Sequence, residues 1–191
     1  MVHMINRRAL RVVILLSTFL LAGCSGVFGP SPGEQADQAI SEANGAIAEH
    51  NRLFDDARGT YADVKQQIEA GNDPSAQQDQ ITEARDKMEG ARSKLQDARD
   101  SLGGVNDLDV DPAVKRYAST LSDAMEAQVS AEDREIEFYT LLEEDPALEN
   151  NREEAENLLE QVGDDYERAE RAYAEARDLA DENPDLIEPT Q

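Results

Sequence analysis

The chain has 191 residues, 42 of them acidic and 18 basic, for a net charge of −24 at neutral pH. All 42 acids and 15 of the basics follow Cys24, so that part carries −27 and repels nucleic acid and anionic headgroups. There is no tryptophan and a single cysteine, which excludes an intramolecular disulfide; few aromatics beside abundant Ala, Glu, Asp, Gln and Arg fit long helices with a thin core better than a sheet.

The first 23 residues read as a signal peptide. Arg7, Arg8 and Arg11 form a basic n-region, and Val12 to Ala22 an apolar run interrupted only by Ser17 and Thr18. A run of about 11 residues is too short to span ~30 Å of hydrocarbon as a helix, which favours a cleaved segment over a permanent anchor. Arg7-Arg8 also admits a twin-arginine export route, with Asn6 and Ala9-Leu10 fitting that pattern loosely. The run ends in Leu21-Ala22-Gly23-Cys24, which resembles the lipobox of prokaryotic lipoproteins. That resemblance implies cleavage before Cys24, lipidation of its thiol, and a mature chain of 168 residues held on a membrane surface. A diacylglycerol with a further acyl chain suffices for stable anchoring, where one chain alone is marginal. Residues 24–31 then form the lipidated cysteine and a Gly/Ser/Pro-rich tether.

One start signal recurs four times in the remaining chain, at Ser31-Pro32, Asp73-Pro74, Asp111-Pro112 and Asp145-Pro146. Each sets an N-cap oxygen before a proline at the first helical position, where the missing N–H is harmless. Stops stand at Gly71-Asn72, Gly103-Gly104, Glu144-Asp145 and Asn183-Pro184. These signals predict helices over about 32–70, 74–102, 112–143 and 147–182, rods of ~45–55 Å. Short connections make neighbours antiparallel. The expectation is an all-α fold: an antiparallel up-down-up-down four-helix bundle over 32–183, with coiled-coil-like heptads and a short tail, 184–191.

Heptads support this in three helices. The first has Ile40, Ile47, Phe54, Tyr61 and Ile68 interleaved with Ala36, Ala43, Ala57 and Val64. The second sets Ile81, Met88, Leu95 and Leu102 against Ala84, Ala91 and Ala98. The fourth sets Leu159, Tyr166, Tyr173 and Ala180 against Val162, Ala169 and Ala176. A large residue at one seam position and alanine at the other allows close helix approach. In the third, Val114, Met125 and Ile136 recur at eleven, the spacing of a straighter helix. It admits Gln128, Glu132 or Glu135 toward the interior.

His50 occupies a seam position near the middle of the first helix, level with Gln128 and Glu132 and, on the fourth, Tyr166. These four form the one candidate interior polar layer. It reads either as a site for a cation or small polar ligand or as a hydrogen-bonded layer fixing register. No metal or other cofactor is expected. Ferritin-like chemistry needs Glu-x-x-His on two helices, and the body has one histidine; zinc is equally short of ligands. No Gly-x-Ser-x-Gly or phosphate loop occurs. Acidic pairs such as Glu153-Glu154 and Asp164-Asp165 lack the spacing of a calcium loop. Catalysis is not expected.

The lipobox, then Gly29-Pro30-Ser31-Pro32-Gly33-Glu34, then a Glu-rich helical body resembles cell-wall-binding lipoproteins of Gram-positive bacteria. Those relatives are lysine-rich, whereas this body has only Lys65, Lys87, Lys94 and Lys115; no binding residue carries over. An acidic, lysine-poor body fits high-salt surroundings, where counterions screen self-repulsion, and equally a GC-rich genome favouring arginine. The expectation is a non-enzymatic, exported lipoprotein, anchored at Cys24 to the outer face of the cytoplasmic membrane, or to the outer membrane where the organism has one. Its partners would be the membrane, through the lipid, and a cell-wall or envelope component or another protein. The alternative is a ligand- or cation-binding bundle using the layer around His50.

Overall fold

The structure is a computed structural model that describes residues 29–183. Leu21-Ala22-Gly23-Cys24, with the rest of the leader, and the tail 184–191 lie outside the described residues. Four long helices form: α1 (Pro32–Glu69), α2 (Gln78–Gly103), α3 (Pro112–Glu144) and α4 (Arg152–Glu182), with 3-10 turns at Pro74–Gln77 and Val105–Asp107. Among the described residues there is no strand, and no helix is long and apolar enough to cross a membrane.

Three of the four Ser/Asp-Pro signals cap as expected. Ser31 and Glu34 make a reciprocal capping box, Glu34 N–H donating to Ser31 Oγ at 3.2 Å and Ser31 N–H to Glu34 Oε2 at 2.7 Å. Asp111 Oδ1 accepts from Ala113 N–H at 2.8 Å and starts α3. Asp73 Oδ1 accepts from Ser75 N–H at 3.0 Å, but the turn it opens is 3-10 for four residues before α2 begins. α1 ends in a Schellman motif: Gly71, at φ +89°, donates to Ile68 O and Asn72 to Gln67 O.

The fourth signal does something else. Asp145 accepts from Glu149 N–H and Asn150 N–H, folding the chain into a turn with Leu148 at φ +50°. α4 therefore starts at Arg152, not near 147. Of its expected seam, Val162, Ala169, Tyr173, Ala176 and Ala180 are buried, together with Ala155, Asp165 and Leu179, while Leu159 stands 37% exposed. Position 159 lies one residue off the buried stripe, and so does Tyr166.

The core falls into two apolar clusters, which fix the topology. One joins Ala36 to Ile47 of α1 with Leu95 to Leu102 of α2, Ala118 to Val129 of α3 and Ala169 to Ala176 of α4. The other joins Ala57 and Val64 with Ile81 to Met88, Phe138 to Leu142 and Ala155. Early α1 with late α2, early α3 and late α4 is the up-down-up-down order. Large side chains such as Leu95 and Met88 are fully buried, each contributing about 1.5–3 kcal/mol over an exposed site.

Backbones pack closely between α1 and α2, α2 and α3, and α3 and α4, whereas α1 and α4 stand farther apart. The α2/α3 seam is laced at its rim. Arg85, Arg92 and Arg99, one heptad apart, pair with Glu143, Asp133 and Glu126 running the opposite way along α3. α3 is the most enclosed helix, buried over a broad face from Ala124 to Glu132. A wide buried face does not require a strict heptad, which accounts for the eleven-residue spacing.

Candidate functional site

Between the two apolar clusters lies a polar waist. On α1 it falls between Ile47 and Ala57, and on α3 its polar residues run from Gln128 to Glu135. Three residues of the expected layer meet there. His50 (1% exposed), Gln128 and Glu132 (0%) are buried. His50 Nε2 stands 2.7 Å from Glu132 Oε1, a diagonal contact from α1 to α3. Gln128 Nε2 donates to Glu132 Oε1 at 3.0 Å and lies 3.1 Å from His50 Nε2. On the far side of the ring, Nδ1 meets Asn51 Oδ1 at 3.0 Å. That carbonyl oxygen only accepts, so Nδ1 carries a proton.

Glu132 Oε2 is buried with no hydrogen-bond partner. Burial pushes the Glu132 carboxyl above its ordinary value, against hydrogen bonds from His50 and Gln128 that favour the charge. An approach of 2.7 Å between Nε2 and Oε1 requires a proton between them.

Tyr166, the fourth expected member, is not in this layer. Its hydroxyl donates to Glu135 Oε2 at 2.8 Å, and it reaches the His50 level only through Phe54, whose ring stacks on His50 (5.4 Å) and meets Tyr166 edge-on (5.9 Å). In this half of α4 the buried stripe runs through Val162 and Asp165, which leaves Tyr166 beside it.

Tyr166 belongs to a second cluster. Glu135, three residues after Glu132, accepts from Arg58 Nη2 (2.9 Å), Tyr166 OH (2.8 Å) and Tyr139 OH (2.9 Å). The Arg58 guanidinium lies over the rings of Phe54 and Tyr166, 4.4 and 4.7 Å from their centroids, a geometry worth about 1 kcal/mol at a partly exposed site. Burial and then the charge of Glu135 raise Tyr139 and Tyr166, so both stay protonated and donate. Burial pushes neighbouring Tyr61 up to about 12. Desolvation opposes the Arg58 charge, but Glu135 outweighs it and holds the guanidinium charged. Sequence reading placed Glu135 inward and missed Arg58, which sits beside the seam position Ala57. Its spacing of four from Phe54, a stacking distance along one helix face, was the available signal.

A third carboxylate, Asp165, is buried on α4 and accepts from Ser130, Arg134 and Arg168. Two guanidiniums occupy it, so the Asp164-Asp165 pair does not present two free carboxylates to calcium. Among the described residues no group of three or more His, Cys, Asp or Glu is arranged to hold a metal ion. A surface hollow of about 310 Å³ between α1 and α2, lined by Thr60, Asp63, Gln66, Gln67, Gln80 and Glu83, lies apart from the waist.

Comparison of the chain with protein-family models, curated proteins and solved structures found no match. The class defined by the fold alone is an acidic four-helix bundle with a buried polar waist.

Proposed function

We propose that the chain is a non-enzymatic, exported lipoprotein, lipid-anchored at Cys24, whose bundle acts as an interaction or envelope-associated module outside the cytoplasmic membrane. The observation that carries this reading is Leu21-Ala22-Gly23-Cys24 placed directly after a basic n-region and an apolar run. The bundle is compatible with it, because α1 opens at Pro32, eight residues after Cys24, leaving only a short tether between lipid and fold. Carboxylates of the waist are held by hydrogen bonds within the bundle, an arrangement suited to structure more than to turnover. Partners would be the membrane, through the lipid, and a wall or envelope component or another protein.

Fractionation of expressing bacteria tests this. Wild-type protein is expected in the membrane fraction and should incorporate labelled palmitate; Cys24→Ser should lose the label and become soluble. Equal partition of the two would overturn the reading.

A second reading, a small-ligand or cation site at His50, Gln128 and Glu132, is favoured by one observation, the unpartnered buried Glu132 Oε2. It requires a melting temperature that rises with a divalent cation or envelope extract at fixed ionic strength, with the rise lost in His50→Leu.

A further inference from the structure

We propose that His50 and Glu132 form a proton-held latch that closes the α1/α4 side of the bundle and releases it as pH rises. Four observations carry it. The contact is the diagonal of the bundle, 2.7 Å from α1 to α3, and both side chains are out of water. The Nδ1 proton is committed to Asn51, so a single proton lies between Nε2 and Oε1. Removing it sets the Nε2 lone pair against a buried carboxylate, with only the Gln128 amide left to donate there. Finally, the two sides of the bundle are unequal. Close backbone packing and three Arg–carboxylate pairs hold α2 to α3, while α1 and α4 stand apart and meet through Phe54, Arg58 and Tyr166. An uncompensated charge at the waist therefore loosens the α1/α4 side, with α2/α3 as the hinge.

The surroundings set the direction. On α3, Glu135 lies close enough to disfavour a charge on Glu132. From α4, Tyr166 and Tyr173 lie within range of the Glu132 charge, with hydroxyls that burial keeps protonated, and the Tyr166 hydroxyl is given to Glu135. α1 contributes Asn51 and, two turns on, Arg58, whose charge is taken by Glu135. No α2 side chain hydrogen-bonds to the pair. Apart from the Gln128 amide, nothing here compensates a bare Glu132 carboxylate. His50 is also the only histidine after Cys24, and there is no thiol in the bundle.

The experiment is a distance measurement between spin labels on α1 and α4 in the full chain, at Asp55→Cys and Glu170→Cys in a Cys24→Ser background. Both positions are exposed helical sites. From about pH 5.5 to about pH 9 the label separation is expected to grow by several ångströms while helicity by circular dichroism stays unchanged. The midpoint should coincide with titration of the His50 imidazole followed by NMR. His50→Gln with Glu132→Gln, which keeps amide hydrogen bonding without the proton, should give a pH-independent distance. A constant separation in the parent, a midpoint away from that of the imidazole, or the same response in the double variant overturns the latch. Should the double variant fail to fold, the parent titration and its midpoint decide alone.

Discussion

Glu132 and Glu135 stand three residues apart on α3, both buried, and are neutralised in opposite ways. Glu135 accepts from a guanidinium and two tyrosine hydroxyls. Glu132 faces an imidazole and an amide, with one oxygen unpartnered. Adjacent turns of one helix thus carry a fixed charge and a protonatable one.

The fixed charge holds three helices together, since Arg58, Glu135 and Tyr166 belong to α1, α3 and α4. Glu135→Gln is expected to cost about 2 kcal/mol, the scale of hydrogen bonds to a buried charge. Arg58 is 43% exposed, so the loss should stay below the 3–5 kcal/mol of a fully buried pair broken from one side. Arg58→Lys should be destabilising too, because an ammonium cannot both stack on the rings and fork toward Glu135. Urea unfolding measures each.

His50→Leu alone leaves Glu132 with only Gln128 as a donor, and is expected to destabilise by about 1–3 kcal/mol. His50→Leu combined with Glu132→Leu removes both polar groups and should fold at least as stably as the parent. A double-mutant cycle with Glu132→Leu gives the coupling; simple additivity of the two single losses would contradict the arrangement.

The pH dependence has a definite sign. The Glu132 carboxyl is held above its ordinary 4.5 by burial, so the folded state keeps a proton that the unfolded state has released. Its contribution is full below pH 4.5 and is lost as pH rises through the raised folded value. The parent should therefore lose stability relative to Glu132→Gln as pH is raised across that window, read as the difference in urea midpoints. A difference that widens in the parent's favour on raising pH would contradict this.

With −27 on the chain after Cys24, self-repulsion opposes compaction, and monovalent salt screens it within ~10 Å at about 0.1 M. The melting temperature is expected to rise by several degrees between about 0.05 and 0.5 M sodium chloride. A flat response would mean that the surface charges are already balanced locally.

Gly71→Ala should cost about 1 kcal/mol, since φ is +89° there and the Schellman bonds depend on it. Thermal unfolding measures it, with Gly45→Ala, a mid-helix position on α1 with open space around it, expected to be neutral or stabilising.

Helix existence, order and direction were legible because three Ser/Asp-Pro caps and the Ala/large alternation act locally and agree with one another. The start of α4 was not. Asp145-Pro146 has the chemistry of the other starts, but its carboxylate accepts from Glu149 and Asn150 and holds a turn. Separately, Leu159 and Tyr166 were assigned to the seam and lie beside it, while Tyr173 and Ala180 of the same series are buried. The His50–Glu132 contact was readable because both residues sit at interior positions of helices whose register is set by alanines. Arg58 was not, because its role depends on the distance between α1 and α4, which no local pattern encodes.

Intact-mass analysis of the protein extracted from its own membrane tests the central claim most directly. The account predicts a polypeptide beginning at Cys24 and carrying a diacylglyceryl group on the thiol. A full-length chain with the leader attached and an unmodified Cys24 thiol would contradict it.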